Sequence, residues 1–331
     1  MEEYITQYFT IENLEAIEEN VEPTNKIHIF IPKEVDTIAS LSYSYDGSNW
    51  NTINIVANVD TNYDIPFVHN DNVFEKICIK GTGTAFAKNI QNPLASDPNE
   101  EIDYYDYYDK SDNTWKTSNK IISEKYPQYN GKSIKLHNPH NVNGTTYCSR
   151  ITFDKDVEIY GNIMSLLYGD DFADQETLDT PLAFANLFME NLTLMKCVNL
   201  VLPATTLSPS CYKEMFKGCG SITYVPELPA HELADNCYMG MFKCCSNITN
   251  TPELPANELK KGSYAMMFSG CEKINFPFNF LSHVTKTEKL SCWMMFALCF
   301  NIQRRIQFNS LEESSPGYDK HMYYGTAYDW N

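Results

Sequence analysis

Residues 211–230 read Cys-Tyr-Lys-Glu-Met-Phe-Lys-Gly-Cys-Gly-Ser-Ile-Thr-Tyr-Val-Pro-Glu-Leu-Pro-Ala, and 26 residues later, residues 237–256 read Cys-Tyr-Met-Gly-Met-Phe-Lys-Cys-Cys-Ser-Asn-Ile-Thr-Asn-Thr-Pro-Glu-Leu-Pro-Ala. The Met-Phe pair recurs at spacings of 26, 26 and 28 residues, and a cysteine follows each pair: Cys219, Cys245, Cys271 and Cys299. A degenerate earlier copy, Leu187-Phe188, has Asn191 in place of the cysteine. Because a unit this short cannot bury its own apolar face, neighbouring units must stack.

The local pattern within one unit predicts a short helix. Tyr212, Met215, Phe216 and Cys219 fall at i, i+3, i+4 and i+7, which would place them on one buried helical stripe. The next residues, 221–225, are β-prone, and prolines then end the ladder because they lack a backbone donor. Each unit is therefore predicted to run helix, strand and proline-rich turn, and the stacked units to form a short solenoid.

The regular cysteines invite a metal or redox interpretation, but their spacing argues against one. Zinc sites need cysteines two to four residues apart in paired clusters, whereas this array carries one recurring cysteine per unit and the sequence contains no C-x-x-C. We expect the cysteine and methionine columns to be buried core residues. No metal site and no cofactor are predicted.

The stretch from Cys211 to Ala230 resembles the BspA-like leucine-rich repeats, which are abundant in surface proteins of Bacteroidales bacteria and in proteins of the crAss-like phages that infect them. The resemblance covers about residues 160 to 302 and includes lead-in segments at 161–170 and 200–207. It implies a leucine-rich-repeat-type solenoid that binds a protein or glycan ligand. Family members usually carry many near-identical repeats and often an export signal. Here the units are few and degenerate, and residues 1–10 lack the pattern of an export signal. We therefore expect a virion protein.

The first half of the chain alternates apolar and polar residues with the period of a strand. Strands are predicted at 26–31, 41–45, 50–56, 76–80, 133–136 and 147–153, with Asp46-Gly47 as a hairpin turn. The predicted class is α+β: an antiparallel β-sandwich-like module at 1–158, a leucine-rich-repeat-type solenoid of 26-residue units at 159–302, and a cap or tail at 303–331.

Two tyrosine-rich segments are the candidate binding sites. The segment 97–109 holds six carboxylates and four tyrosines and is predicted to be an inserted loop that binds a partner, binds calcium or is simply solvated. The tail 322–331 is too aromatic for a free terminus, and we expect it either to cap the last repeat or to dock on a neighbouring subunit. The predicted partner-binding residues are Asp103, Tyr104, Tyr105, Asp106, Tyr107, Tyr323, Tyr324 and Trp330.

Charge and motif content narrow the function. The 331 residues carry a net charge of −18, which disfavours nucleic acid and anionic membranes, and no apolar stretch is long enough to span a bilayer. P-loop, nucleophile-elbow, zincin and dinucleotide-binding motifs are absent from the sequence, so no catalytic residue and no enzyme activity are predicted.

We therefore expect a structural or attachment component of a bacteriophage particle, such as a head fibre or capsid-decorating protein, assembled in the host cytoplasm. Expected partners are other virion proteins, namely capsid or fibre subunits, further copies of this chain in a closed homo-oligomer such as a trimer, and a host-surface protein or glycan. The alternative is a bacterial cell-surface adhesion protein of the same repeat family.

Overall fold

A computed structural model describes residues 6–14, 25–70, 72–91, 105–109, 114–118, 134–136, 144–277, 279–302, 306 and 320–323. The chain divides into two compact units. Unit 1 combines residues 1–87 with residues 148–331, and unit 2 comprises residues 88–147. The predicted boundary at residue 158 therefore lies inside unit 1.

Unit 1 begins with short strands, which are β1 (Phe9–Asn13), β2 (Lys26–Ile31), β3 (Ile38–Ser44), β4 (Asn51–Ile53), β5 (Thr61–Pro66), β6 (Val68–His69), β7 (Asn72–Val73) and β8 (Lys76–Gly83). After unit 2, the strands of unit 1 resume as β14 (Arg150–Phe153), β15 (Val157–Asn162), β16 (Leu194–Lys196), β17 (Leu200–Val201), β18 (Glu258–Leu259) and β19 (Lys286–Thr287). A single α-helical turn, α1 (Ser165–Tyr168), is followed by a 3-10 turn at Gly169–Asp171, and a further 3-10 turn spans Lys320–Tyr323.

Two sheets of three or more strands form most of the described N-terminal part of unit 1, beside the two-stranded pair of β6 and β7. The larger has the order β16-β15-β1-β8-β3-β4, and the smaller has the order β14-β2-β5. Alternate residues of β2 are buried, as the period of the sequence predicts. The predicted hairpin at Asp46-Gly47 is also confirmed, because β3 and β4 pair antiparallel on either side of it. The Asp46 carboxylate accepts hydrogen bonds from the backbone N–H groups of Asn49 and Ser48. These hydrogen bonds hold the pKa of Asp46 well below its usual range.

The predicted α+β class is wrong, because the fold is mainly β and the array contains turns where helices were expected. In the described part of the chain, five ten-residue runs of consecutive turns take the positions where helices were expected. These turn segments span 181–190, 209–218, 235–244, 261–270 and 289–298.

Backbone hydrogen bonds show why the turn segments are not helices. In the second segment, the N–H groups of Lys213 and Met215 donate to carbonyls three residues earlier, whereas those of Tyr212, Glu214 and Phe216 donate to carbonyls of the third segment. An α-helix would instead bond every N–H to the carbonyl four residues earlier within the same segment. Half of the donors thus join one repeat to the next.

Positive φ angles recur at every fourth residue of a turn segment. In the second segment they fall at Ser210, Glu214 and Gly218, with φ of 57°, 52° and 77°. Each residue with a positive φ angle changes the direction of the backbone. The residues between these positions are therefore buried in pairs, Cys211 with Tyr212 and Met215 with Phe216. The pairs reproduce the i, i+3, i+4, i+7 spacing of a helical stripe without a helix.

Two columns of neighbouring aromatic rings run through the described part of the array. One begins at Phe9 of β1 and continues, with ring centroids 5.5 to 6.0 Å apart, through Phe188, Phe216, Phe242, Phe268, Phe296 and Tyr323. The other begins at Phe86 and continues through Phe184, Tyr212, Tyr238 and Tyr264. Because Phe9 and Phe86 belong to the N-terminal part, the strands and the array share one hydrophobic core.

The recurring cysteines form a third internal column. Cys219, Cys245, Cys271 and Cys299 are fully buried, and each Sγ lies 3.0 Å from the carbonyl oxygen of the phenylalanine in the preceding repeat. Burial raises the pKa of the Cys219 thiol to about 12 and also raises that of Cys245. Burial of the cysteine column agrees with the sequence expectation. Asn191, at the first position, donates its Nδ2 group to the carbonyls of Phe188 and Ile151.

Unit 2 is an insertion whose strands are β9 (Ala87–Gln91), β10 (Tyr105–Asp109), β11 (Thr114–Ser118), β12 (Ile134–Leu136) and β13 (Gly144–Cys148). The middle strand β10 pairs antiparallel with β11 and with β12. The outgoing and returning strands, β9 and β13, pair with each other. The predicted loop at 97–109 is therefore a strand over its last five residues.

Candidate interaction surface

Three large apolar side chains are exposed on adjacent repeats near the start of the array. Leu192 is 67% exposed, Tyr224 59% and Val198 44%. We call these three residues the apolar patch. Single exposed apolar side chains are ordinary on a protein surface, but three of them on neighbouring hydrogen-bonded segments offer apolar contact area to another molecule.

Local packing keeps the apolar patch in place. Leu192 follows the buried Asn191 and lies over Gly220 of the next repeat, with its Cδ2 atom 3.7 Å from the position a Cβ atom of Gly220 would take. The Cys197 Sγ–H group faces the backbone carbonyl of Tyr224 at 3.6 Å, which links the segment that carries Val198 to the segment that carries Tyr224. The patch therefore belongs to two consecutive repeats whose backbones are hydrogen-bonded to each other.

The far end of the array exposes a second apolar pair. Leu298 is 46% exposed and Phe300 64%, on either side of the buried Cys299. Phe300 directly follows Cys299, and Leu192 directly follows Asn191, so the two occupy the same position in their repeats. The intervening repeats have Gly220, Ser246 and Glu272 at this position. The surface column is thus apolar at both ends and small or acidic between them.

A polar and aromatic cluster joins the N-terminal strands to the start of the array. The Tyr8 hydroxyl and the Lys80 ammonium both donate to Asp170 Oδ1, at 2.6 and 2.7 Å. The hydrogen bond to Asp170 and burial raise the pKa of Tyr8 to about 12. The Lys80 Nζ atom also lies 4.1 Å from the ring centroid of Trp50. Because these groups are paired with one another, the cluster acts as a structural tie.

The described residues also form a small cleft beside the ends of β2 and β3. Its volume is about 220 Å³, and its apolar walls include Ile31, Val35, Ile38, Val56 and Val59. Small-molecule sites usually enclose about 300 to 1,000 Å³, so this cleft suits at most a single side chain.

The structure places the predicted binding residues in different environments. Tyr105, Asp106 and Tyr107 lie in β10 of unit 2, whereas Asp103, Tyr104, Tyr324 and Trp330 lie outside the described residues. Tyr323 is 5% exposed, and its ring stacks on Phe296 at 6.0 Å. Tyr323 therefore contacts the last repeat.

Sequence reasoning missed the apolar patch. The repeat alignment contains a usable signal, because Leu192 aligns with Gly220 and Tyr224 aligns with Asn250. Large apolar residues at positions where neighbouring repeats carry small or polar ones indicate a use outside the core.

Comparison of the chain with protein-family models, with curated proteins and with solved structures finds no match. Within the described ranges, no group of three or more His, Cys, Asp or Glu side chains could hold a metal ion. No helix in that part of the chain is long and apolar enough to cross a membrane.

Proposed function

We propose that this chain is a non-enzymatic structural and attachment component of a bacteriophage particle, a head fibre or capsid-surface protein that resides in the virion. The observation that carries the proposal is the apolar patch on a regular array of hydrogen-bonded repeats. Such an array holds its surface side chains in fixed positions, so that little ordering entropy opposes binding. The sequence resemblance to BspA-like repeats of Bacteroidales and their phages supports the biological setting.

In this proposal the repeat array displays the apolar patch, and the β-rich N-terminal part contacts capsid or fibre subunits. Tyr224 supplies a large contact area at low entropic cost, as aromatic residues do in other binding surfaces. The patch would bind a host-surface protein or glycan weakly, and many copies on one particle would combine into firm attachment. A closed homo-oligomer such as a trimer would raise the local copy number further.

Quantitative mass spectrometry of virions purified from lysed host cultures tests the location of the protein. We expect the chain in many copies per particle. Recovery from host envelopes together with absence from virions would overturn the proposal in favour of a bacterial cell-surface adhesion protein.

Particles that carry Leu192→Ser with Tyr224→Ser test the role of the patch. We expect adsorption to host cells to fall by about tenfold, because the apolar contact area is lost while the core is unchanged. Phe300→Ser is the matched control, since Phe300 is 64% exposed at the far end of the array, outside the apolar patch. Equal adsorption by the patch variant and the control variant would remove the apolar patch from the account.

A further inference from the structure

The cleft beside the ends of β2 and β3 is bordered by two exposed valines. Val56 is 48% exposed and Val59 54%, and both line the cleft. Ile31, Val35 and Ile38 also line it and are buried. The cleft therefore leads from an exposed apolar surface to the core, and its volume of about 220 Å³ suits one large apolar side chain.

Hydrogen bonds hold the walls of the cleft in place. Two turns form these walls, and we call them the wall segments, residues 32–36 and 56–60. The Val59 N–H group donates to the Val56 carbonyl at 3.2 Å within the second segment. The Lys33 N–H group donates to Asp60 Oδ1 at 2.8 Å and so joins the first segment to the second. The cleft is thus formed before any partner binds.

The wall segments are acidic. Their charged residues are Lys33, Glu34, Asp36 and Asp60. Of these, Lys33 and Asp36 line the cleft directly. Three carboxylates against one ammonium group give the border of the cleft a negative potential. A partner that complements this border carries basic side chains beside the apolar side chain that enters the cleft.

We propose that the cleft is a docking site for a partner protein that inserts one large apolar side chain flanked by basic side chains. The inference rests on the proposed function, which assigns contact with capsid or fibre subunits to the N-terminal part, and it names the chemistry of that contact. Insertion covers Val56 and Val59, while the basic side chains approach the carboxylates of Glu34 and Asp36. Because the wall segments are already held in place, little ordering entropy opposes docking.

A peptide titration of the intact chain tests this chemistry. The probe is the synthetic peptide Gly-Ser-Lys-Leu-Lys-Ser-Gly, and the methyl signals of Val56 and Val59 report on the cleft by NMR. We expect both signals to shift, with an affinity at least about tenfold higher than for the same peptide with glutamates in place of its lysines or with serine in place of its leucine. Equal affinities for the three peptides would overturn the proposal.

Ala57→Trp tests the location of the docking site. Ala57 lines the cleft and is exposed, so a larger side chain can fill the cleft without displacing the core. Ala173→Trp is the matched control at another exposed alanine of unit 1. We expect the affinity for the lysine peptide to fall at least about tenfold in Ala57→Trp and to stay unchanged in Ala173→Trp. Equal affinities in the two variants would place peptide binding elsewhere and contradict the proposal.

Asp36→Lys tests the acidic border without filling the cleft. We expect the preference for the lysine peptide over the glutamate peptide to fall at least about threefold in this variant. Glu75→Lys makes the same charge change at an exposed position of the N-terminal part and should retain the preference. An unchanged preference in Asp36→Lys would remove charge complementarity from the proposal.

Quantitative mass spectrometry of virions that carry Ala57→Trp or Ala173→Trp identifies the partner. We expect the copy number per particle to fall at least about tenfold in Ala57→Trp alone. Equal copy numbers in the two variants would overturn the assignment of the cleft to a virion partner. A dimer seen by light scattering and lost only in Ala57→Trp would assign the cleft to a second copy and would also overturn it. Absence of the wild-type chain from virions would overturn the proposed function, whereas the peptide titration decides the chemistry of the cleft in either case.

Discussion

At the scale of single residues, the array depends on backbone reversals and on columns of identical core side chains. Glu214 and Met266 adopt positive φ angles that glycine accepts more readily, and Gly218 and Gly270 adopt the same conformation in their own segments. The cost at the non-glycine positions is offset by the hydrogen bonds that their N–H groups make to the next repeat. Conformation and cross-repeat bonding are therefore coupled at the same residues.

Thiol reactivity tests the buried cysteine column. Cys244 is exposed, whereas its neighbour Cys245 is buried, with a pKa raised by burial. We expect a thiol reagent to label Cys244 rapidly under native conditions and to leave Cys219, Cys245 and Cys271 unlabelled. In a Cys244→Ser variant the fast phase should disappear. Rapid labelling of Cys245 in that variant would show that the column is open to solvent.

Two tyrosine hydroxyls in the second ring column, those of Tyr212 and Tyr264, are buried and have no hydrogen-bond partner among the described residues. An unpaired buried hydroxyl costs about 1 to 3 kcal/mol. We expect Tyr212→Phe or Tyr264→Phe to raise the free energy of unfolding by about 1 kcal/mol. Tyr224→Phe, at an exposed position, should leave it unchanged. Urea unfolding measures all three, and destabilisation by the two core substitutions would contradict the account.

At the scale of elements, the sequence predicts the N-terminal strands far better than it predicts the turn segments. β2 and β8 alternate apolar and polar residues, and this period of two has no competing interpretation. In the repeats, a stripe at i, i+3, i+4 and i+7 fits both a helix of 3.6 residues per turn and paired burial every four residues. The glycines at 218, 240, 262 and 270 carry the distinguishing signal, because all four fall on the positive-φ positions.

The small sheet carries a charge clamp across its three strands. The Nδ1 atom of His28 in β2 lies 2.8 Å from Oδ1 of Asp64 in β5, and its Nε2 atom lies 2.8 Å from Oδ1 of Asp154, which directly follows β14. The Lys26 Nζ atom lies 3.5 Å from Oδ2 of Asp64. Burial lowers the pKa of His28, but hydrogen bonds to Asp154 and Asp64 outweigh it, so the pKa is raised. The hydrogen bond from His28 lowers the pKa of Asp64.

These shifts determine when the clamp stabilises the fold. The His28 contribution is fully present below its ordinary pKa of 6.5 and is lost as the pH rises through the raised folded-state pKa. The Asp64 contribution is present above its ordinary pKa of 3.8 and is lost as the pH falls through the lowered value. The clamp is therefore strongest between these two ordinary values.

His28→Gln tests the clamp. We expect it to lower the free energy of unfolding near pH 5.5 by no more than about 1 kcal/mol, because the pair is solvent-exposed. The loss should be smaller near pH 8.5, because the His28 contribution disappears as the pH rises through its raised pKa. His231→Gln, at an exposed position in the array, is the matched control. Urea titrations at both pH values measure the effect, and an equal loss at both would show that His28 acts through packing alone.

At the scale of the whole molecule, unit 1 is built on a core that runs from Phe9 to Tyr323. β15 belongs to the antiparallel sheet through β1 and begins the array through parallel pairing with β16 and β17. A division between modules at residue 158 follows from the change in sequence pattern, but pairing between distant segments is not visible in that pattern. Contacts over such separations are what local periodicity cannot supply.

Two deletions test this organisation. Replacement of residues 92–143 by a short glycine-rich turn should leave a folded unit 1, because β9 and β13 pair with each other and bring the cut ends together. Removal of residues 163–302 should instead abolish cooperative unfolding, because it exposes Phe9, Phe86 and the edge of β15. Thermal unfolding followed by calorimetry measures both, and a cooperative transition in the second deletion would show that the strands fold without the array.

Far-ultraviolet circular dichroism of the intact chain tests most directly the claim that the repeats are stacked turns. The described residues between 172 and 302 contain no helix. We therefore expect a spectrum of turns and strands, without the double minimum of an α-helix. A clear helical double minimum, lost together with the array in the deletion of residues 163–302, would contradict the account and restore five helices to the repeats.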